Sequence, residues 1–164
     1  MRGLGGPLNS MSRAFTRESD GAELDAQPEL EVSPHRNLVT TEGLQQIEAT
    51  LRRLDGESSA ARASGDRATL ARLERDLRYW RQRRTTAEVV PSATTAAGVR
   101  FGNRVTLETG SGATLRYRIV GEDESDPRRG LLSYVSPLAE QLLGCRVGDV
   151  VKLQDGDAEV IEIA

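Results

Sequence analysis

The sequence predicts an α+β protein: an antiparallel α-helical hairpin over residues 38–90, then a small antiparallel sheet domain with one short helix over residues 99–164. Three observations carry that expectation. Two stretches repeat apolar residues at offsets 0, 3, 7 and 10, first Leu44, Ile47, Leu51 and Leu54, then Leu70, Leu73, Leu77 and Trp80. A short polar break, Ser64-Gly65-Asp66, stands between them. Beyond residue 98 the period changes to two, with Leu115, Tyr117 and Ile119 on one face and Arg116 and Arg118 on the other.

Residues 1–37 lead the chain. Met1–Ser10 shows no periodicity, and Met11 is an alternative start. Residues 11–37 hold six acids against three bases, with Pro28, Pro34 and little apolar surface. A segment of that composition cannot bury enough to offset its ordering entropy, so residues 1–37 are expected to be disordered or loosely docked. His35, the single histidine, has no Cys or second His near it, which argues against metal ligation there.

The first helix begins at Thr40-Thr41-Glu42, with threonine as cap and an acid in the first turn. Gly56 weakens its middle by about 1 kcal/mol relative to alanine, and beyond it the seam is expected to run through small residues, Ala60, Ala61 and Ala63. Two matching seams joined by a short turn make a two-armed coiled coil. Each stripe is narrow and satisfied by the other arm. The remaining faces carry Arg52, Arg53, Arg62, Arg72, Arg75, Arg81, Arg83 and Arg84, so the hairpin reads as a projecting arm of ~35 Å. Residues 91–98 read as a linker, stopped by Pro91.

In the sheet domain, Arg104–Glu108 turns at Gly110-Ser111-Gly112 and returns through Thr114–Val120. An acidic turn and a strand at Leu131–Val135 follow. Ser136-Pro137 starts a helix that Gly144 ends, since serine caps well, proline suits the first helical position and glycine accepts the left-handed exit. Asp149–Leu153 and Ala158–Ile163 close the domain as a hairpin through Asp155-Gly156-Asp157.

Composition narrows the function classes. At 37% hydrophobic and 4% aromatic the chain is thin for one large core, which fits a compact domain plus an extended element. No apolar run approaches a membrane span, and no signal-peptide pattern follows Met1, so a cytoplasmic protein is expected. The lone Cys145 excludes an internal disulfide and reads as small, semi-buried filler. A net charge of −3 argues against a dedicated DNA binder. The positive charge is concentrated in residues 38–88, with ten arginines against eight acids. There is no GxGxxG, Walker, CxxC or nucleophile-elbow motif, and the sheet domain holds no catalytic constellation.

The run IVGEDESDP at Ile119–Pro127, followed by LLSYVSPLAEQLLGCRVGD at Leu131–Asp149, resembles the C-terminal domain of the Gre transcription elongation factors, of GreA and GreB type. A weaker, correctly placed likeness runs upstream to Leu38. The resemblance implies an FKBP-like sheet domain that docks on bacterial RNA polymerase beside its secondary channel, with the hairpin entering the channel. It implies no enzymatic activity of the chain's own beyond assisting the polymerase's own RNA cleavage. It also implies a docking surface at Asp123, Glu124, Ser136, Pro137 and Leu138. The helix-two arginines keep two readings, a contact with nascent RNA or acidic channel walls, and plain solubility with i,i+4 pairing such as Glu74 with Arg78; a monomer is expected.

In the resembled family the hairpin tip carries a Gly-Asp-x-x-Glu arrangement that helps hold Mg²⁺ shared with the polymerase active site. Carboxylates are hard oxygen ligands suited to that ion. Here Gly65 and Asp66 match, but Thr69 stands where the glutamate belongs, and each arm closes about one heptad, ~10 Å, early. Asp66 therefore keeps two readings, a metal contact available only with the polymerase and a plain helix cap. Cleavage stimulation and inhibitory occupation of the channel both stay open, with the tip favouring the second. Two other classes remain: an adaptor resembling regulators of nucleoside diphosphate kinase, and a prolyl isomerase suggested by fold analogy alone. The three aromatics Phe101, Tyr117 and Tyr134 are few for an isomerase pocket.

Overall fold

A computed structural model describes residues 28–91 and 98–164. Helix α1 spans Thr41–Ser64 and helix α2 spans Arg67–Thr86. The Thr40 hydroxyl accepts from the Gly43 N–H at 3.0 Å and starts α1. Gly65 ends it at φ 73°, a left-handed conformation that costs glycine little. Asp66 at once caps α2 by accepting from the Thr69 N–H at 3.0 Å, so the two arms reverse through a two-residue turn.

The seams meet as expected. Leu54, Ala61, Leu73 and Leu77 are buried together, with Leu51, Leu70 and Trp80 packed against them. Trp80 therefore belongs to the hairpin's own core. The small end of the α1 seam is Ser58 and Ala61, whereas Ala60 and Ala63 are exposed. The 3.5-residue repeat explains this correction: continued from Leu54 it lands on 58 and 61 and rotates 60 and 63 outward.

Two elements close the root of the hairpin. Strand β1, Leu38–Val39, enters α1, and strand β2, Glu88–Val89, leaves α2. They pair in parallel, Leu38 with Glu88 and Val39 with Val89. Upstream of β1, residues 28–37 contact both α2 and the sheet domain. Asn37 is buried and donates from Nδ2 to the Arg83 carbonyl at 2.7 Å and the Thr86 hydroxyl at 3.1 Å. It thereby satisfies an orphan carbonyl at the C-terminal end of α2. Glu29 pairs with Arg78 at 2.6 Å, and the Tyr134 hydroxyl donates to the Arg36 carbonyl at 2.6 Å. Residues 1–27, and 92–97 of the expected linker, lie outside the described residues.

The sheet domain has strands β3 (Arg104–Thr109), β4 (Thr114–Val120), β5 (Leu131–Ser133), β6 (Val150–Leu153) and β7 (Gly156–Ile163) in the order β5-β4-β3-β7-β6. Three of its four pairings are antiparallel. The β4–β5 pairing is parallel, with Arg118 beside Leu131 and Val120 beside Ser133. The acidic stretch does not reverse the chain in one turn. Two short 3-10 turns, Glu122–Glu124 and Pro127–Arg129, carry it back along β4 before β5 begins.

One face of this sheet holds the core, where Val105, Leu107, Ile119 and Val160 are fully buried. Helix α3, Pro137–Leu142, covers it with Ala139 and Leu142. Phe101 and Tyr134 pack edge to face at 5.9 Å against the same core. Both rings are therefore committed to packing, and the isomerase analogy gains no support from them. The Cys145 thiol donates to the Gln141 carbonyl at 3.0 Å, and burial pushes its pKa up, as suits a structural filler.

Candidate functional site

Three places were singled out by sequence: the hairpin tip, the acidic turn and the start of α3. The tip is the simplest. Asp66 is exposed, and one of its oxygens is engaged by the Thr69 N–H. That hydrogen bond holds its carboxyl below the usual aspartate range. The nearby acids are turned to arginines: Glu57 pairs with Arg53 at 2.7 Å, and Glu74 pairs with Arg62 across the hairpin at 3.1 Å, not with Arg78. Among the described residues no three His, Cys, Asp or Glu side chains converge to hold a metal. A single solvated carboxylate with one oxygen already in a cap does not make a Mg²⁺ site, because that ion needs several oxygens in octahedral array. The chain's own tip therefore does not fit a resident metal.

The acidic turn behaves differently from expectation. Asp123 and Glu124 are directed inward, to the root of the hairpin. Asp123 accepts from the Tyr79 hydroxyl at 2.8 Å and from Arg83 Nε at 2.5 Å, one bond to each oxygen. Arg83 is 1% exposed and lies 3.8 Å from Glu122 as well. Glu124 is buried and accepts from the Thr40 N–H at 3.0 Å, the Gly121 N–H at 3.1 Å and the Thr40 hydroxyl. The oxygens of Asp123 and Glu124, both expected at a docking surface, are thus filled by hairpin and turn donors. The physical reason is the root of the hairpin itself: the start of α1 presents the Thr40 N–H and hydroxyl to Glu124, and the buried Arg83 guanidinium and Tyr79 hydroxyl near the end of α2 take Asp123 as their acceptor.

Arg83 is likewise removed from the set of surface arginines. Its burial was invisible in sequence, since nine other arginines of similar local context lie on the same hairpin. Tyr79 lies three residues after Asp76 and one before Trp80, off the 0, 3, 7, 10 seam. It proves to be the phenol that joins the two halves. Burial first, and then the hydrogen bond to Asp123, push its pKa up to about 12.

At the start of α3, the Ser136 hydroxyl accepts from the Ala139 N–H at 3.3 Å, and Leu138 is partly buried against the sheet core. Pro137 is exposed and is the member of this corner most available to a partner. On α2 the outward arginines have carboxylate partners, Arg78 with Glu29, Arg81 with Asp55 at 3.0 Å and Arg84 with Glu48 at 3.0 Å. Exposed pairs of this kind contribute little and exchange readily. Among the described residues no helix is long and apolar enough to cross a membrane.

Comparison with known proteins adds sequence kinship to this geometry. The family model described as "Transcription elongation factor, GreA/GreB, C-term" matches residues 94–164. The transcription elongation factor GreB of Xanthomonas axonopodis pv. citri is 46% identical over 103 residues, 56% of this chain and 61% of that protein. GreA of Alkalilimnicola ehrlichii is 42% identical over 84 residues, 47% of this chain and 53% of its own. GreB of Haemophilus ducreyi is 31% identical over 137 residues, covering 72% of this chain and 85% of that protein. The chain thus spans only about half to three-fifths of the first two relatives, but most of the third. The solved GreA factor homolog 1 of Thermus thermophilus aligns with 79% of this chain and 99% of its own at 24% identity. Its TM-score of 0.39 is too loose a superposition to bear on function.

Proposed function

The chain belongs to the GreA/GreB family of transcription elongation factors, and from that membership we propose that it regulates bacterial RNA polymerase from the secondary channel. The sheet domain sits at the channel rim and the hairpin enters. The protein occupies the channel and gives little stimulation of transcript cleavage. It works in the cytoplasm as a monomer and is not an enzyme, since any hydrolysis belongs to the polymerase and its Mg²⁺.

The observation that carries this reading is the tip. A paired-helix arm of ~36 Å along α1 ends in one exposed carboxylate, Asp66, which already caps α2, with an uncharged Thr69 three residues on. Such a tip supplies reach without a set of oxygen ligands. With Asp123 and Glu124 turned inward, the rim contact falls to the α3 corner, above all Pro137. The exchangeable ion pairs of α2 let Arg78, Arg81 and Arg84 contact nascent RNA or acidic channel walls once inside.

A cleavage assay on stalled elongation complexes tests the reading. The expected result is that the protein binds polymerase, competes with a cleavage-active family member, and itself adds little cleavage. Robust cleavage that disappears in Asp66→Ala would overturn the inhibitory reading. No association with polymerase at low salt would overturn the channel reading altogether.

A further inference from the structure

The face of the sheet turned away from α3 forms one wall of a cleft of about 660 Å³, and the start of α1 forms the opposite wall. Four arginines line it: Arg104 on β3, Arg116 and Arg118 on β4, and Arg129 in the turn before β5. Two of them are directly opposed, because Arg104 is the cross-strand partner of Arg118. Like charges in that position destabilise a sheet. Arg116 stands two residues from Arg118 on the same face, opposite Thr106. Arg129 is brought in by its neighbour Gly130, whose carbonyl accepts from the Arg118 N–H at 2.8 Å.

Three acidic side chains, Glu42, Glu124 and Glu162, also line the cleft, and so does Ala164, whose carbonyl accepts from the Arg104 N–H at 2.7 Å. Glu42 pairs with Arg118 at 3.2 Å, Glu162 accepts from the Thr106 hydroxyl at 3.0 Å, and Glu124 is directed to Thr40 and Gly121. Among the described residues Arg104, Arg116 and Arg129 have no carboxylate within 4.0 Å, although all three are exposed. The arginines on the outer face of α2 are arranged otherwise, with acids at Arg78, Arg81 and Arg84.

We propose that this cleft binds a small anion carrying two or more adjacent phosphoryl groups, of the inorganic pyrophosphate or nucleoside polyphosphate class. Guanidinium forks meet phosphoryl oxygens in pairs. Three guanidiniums with no carboxylate partner among the described residues, set around one cleft, suit several negative charges close together, which linked phosphoryl groups carry and isolated carboxylates do not. The volume lies within the range of small-molecule sites, and Glu42 and Gln46 at the start of α1 wall one side of it. Binding removes the repulsion between Arg104 and Arg118, so the like-charge register becomes an asset when the site is filled.

Titration calorimetry on the full chain at low salt, without polymerase, tests the proposal with pyrophosphate, ATP and a single-stranded RNA oligonucleotide as separate probes. Saturable one-to-one binding of pyrophosphate or ATP is expected. Arg104→Gln and Arg116→Gln should each weaken it roughly tenfold, the loss of one charge-assisted contact, while Arg52→Gln on the hairpin leaves it unchanged. Thermal melts of the same variants establish that each is folded, and relief of repulsion makes Arg104→Gln at least as stable as the parent. No saturable binding, binding indifferent to the two cleft substitutions, or a tighter response to RNA than to either small anion would each overturn it.

Discussion

Replacing Asp123 with alanine should do two things at once: destabilise the protein and release the hairpin from the sheet domain. Asp123 is 11% exposed at its side chain, and it holds Arg83 at 2.5 Å, a guanidinium 2% exposed. Removing the carboxylate leaves that charge buried with only Glu122 at 3.8 Å. Breaking a buried pair by deleting one member costs about 3 kcal/mol or more. The Tyr79 hydroxyl loses its acceptor in the same step. Tyr79→Phe alone removes one hydrogen bond to a charged group, roughly 1.5 kcal/mol. Urea unfolding of parent, single and double variants gives the coupling between the two side chains, and small-angle X-ray scattering reads the hairpin-to-domain arrangement. The expectation is a loss of about 3 kcal/mol for Asp123→Ala, a further loss from Tyr79→Phe that is much smaller in its presence, and a broadened distribution of intramolecular distances. A loss below about 1 kcal/mol with an unchanged scattering profile would refute the argument that this cluster fixes the arm.

Other outcomes follow from the same contacts. The Tyr79 phenol, raised from 10.0 to about 12, contributes stability that is complete below pH 10 and is lost as pH rises through 12. A phenolate absorbance titration should show Tyr79 as the latest step, with Tyr134 also delayed by burial, and only the Tyr79 step moves toward the ordinary value in Asp123→Asn. Gly56→Ala should stabilise the hairpin by about 1 kcal/mol, since a methyl there meets nothing within 4 Å. Gly43→Ala should do the reverse despite the same propensity gain, because its Cβ would fall on the Glu124 carboxyl, which Thr40 and Gly121 hold in place. Thermal melts of the two variants test the opposite signs. Asp66→Ala should lower the melting temperature slightly at neutral pH and not at all at strongly acidic pH. Its cap contributes above the ordinary aspartate pKa of 3.8 and is lost as pH falls through the lowered folded value.

The sequence declared its periodic parts. The 0, 3, 7, 10 seams located both helices, the Ser64-Gly65-Asp66 break located the turn, and the Ser136-Pro137 signal located α3, because each is a local property of consecutive residues. It was silent about the root. Asn37, Arg83 and Glu124 are polar residues in polar surroundings, and their burial follows from elements 40 or more positions apart coming together. Composition therefore read residues 28–37 as disordered or loosely docked, and the family resemblance placed Asp123 and Glu124 at a docking surface. The parallel β4–β5 pairing was hidden for a related reason: it depends on how the ten residues between the strands travel, which alternation does not encode. The tip was legible in full, since a cap is a local device and Thr69 is uncharged wherever the chain goes.

The repeating seam has a consequence for how such an arm can change over evolution. Adding seven residues to each helix advances the turn by ~10 Å while rotating it only ~20°, so Asp66 would keep its heading. A single inserted residue swings the turn by roughly 100° and throws Leu73 and Leu77 out of step with Leu54 and Ala61. Arm length is thus graduated like a ruler, and neighbouring working lengths in this lineage should differ by whole heptads taken from both sides together.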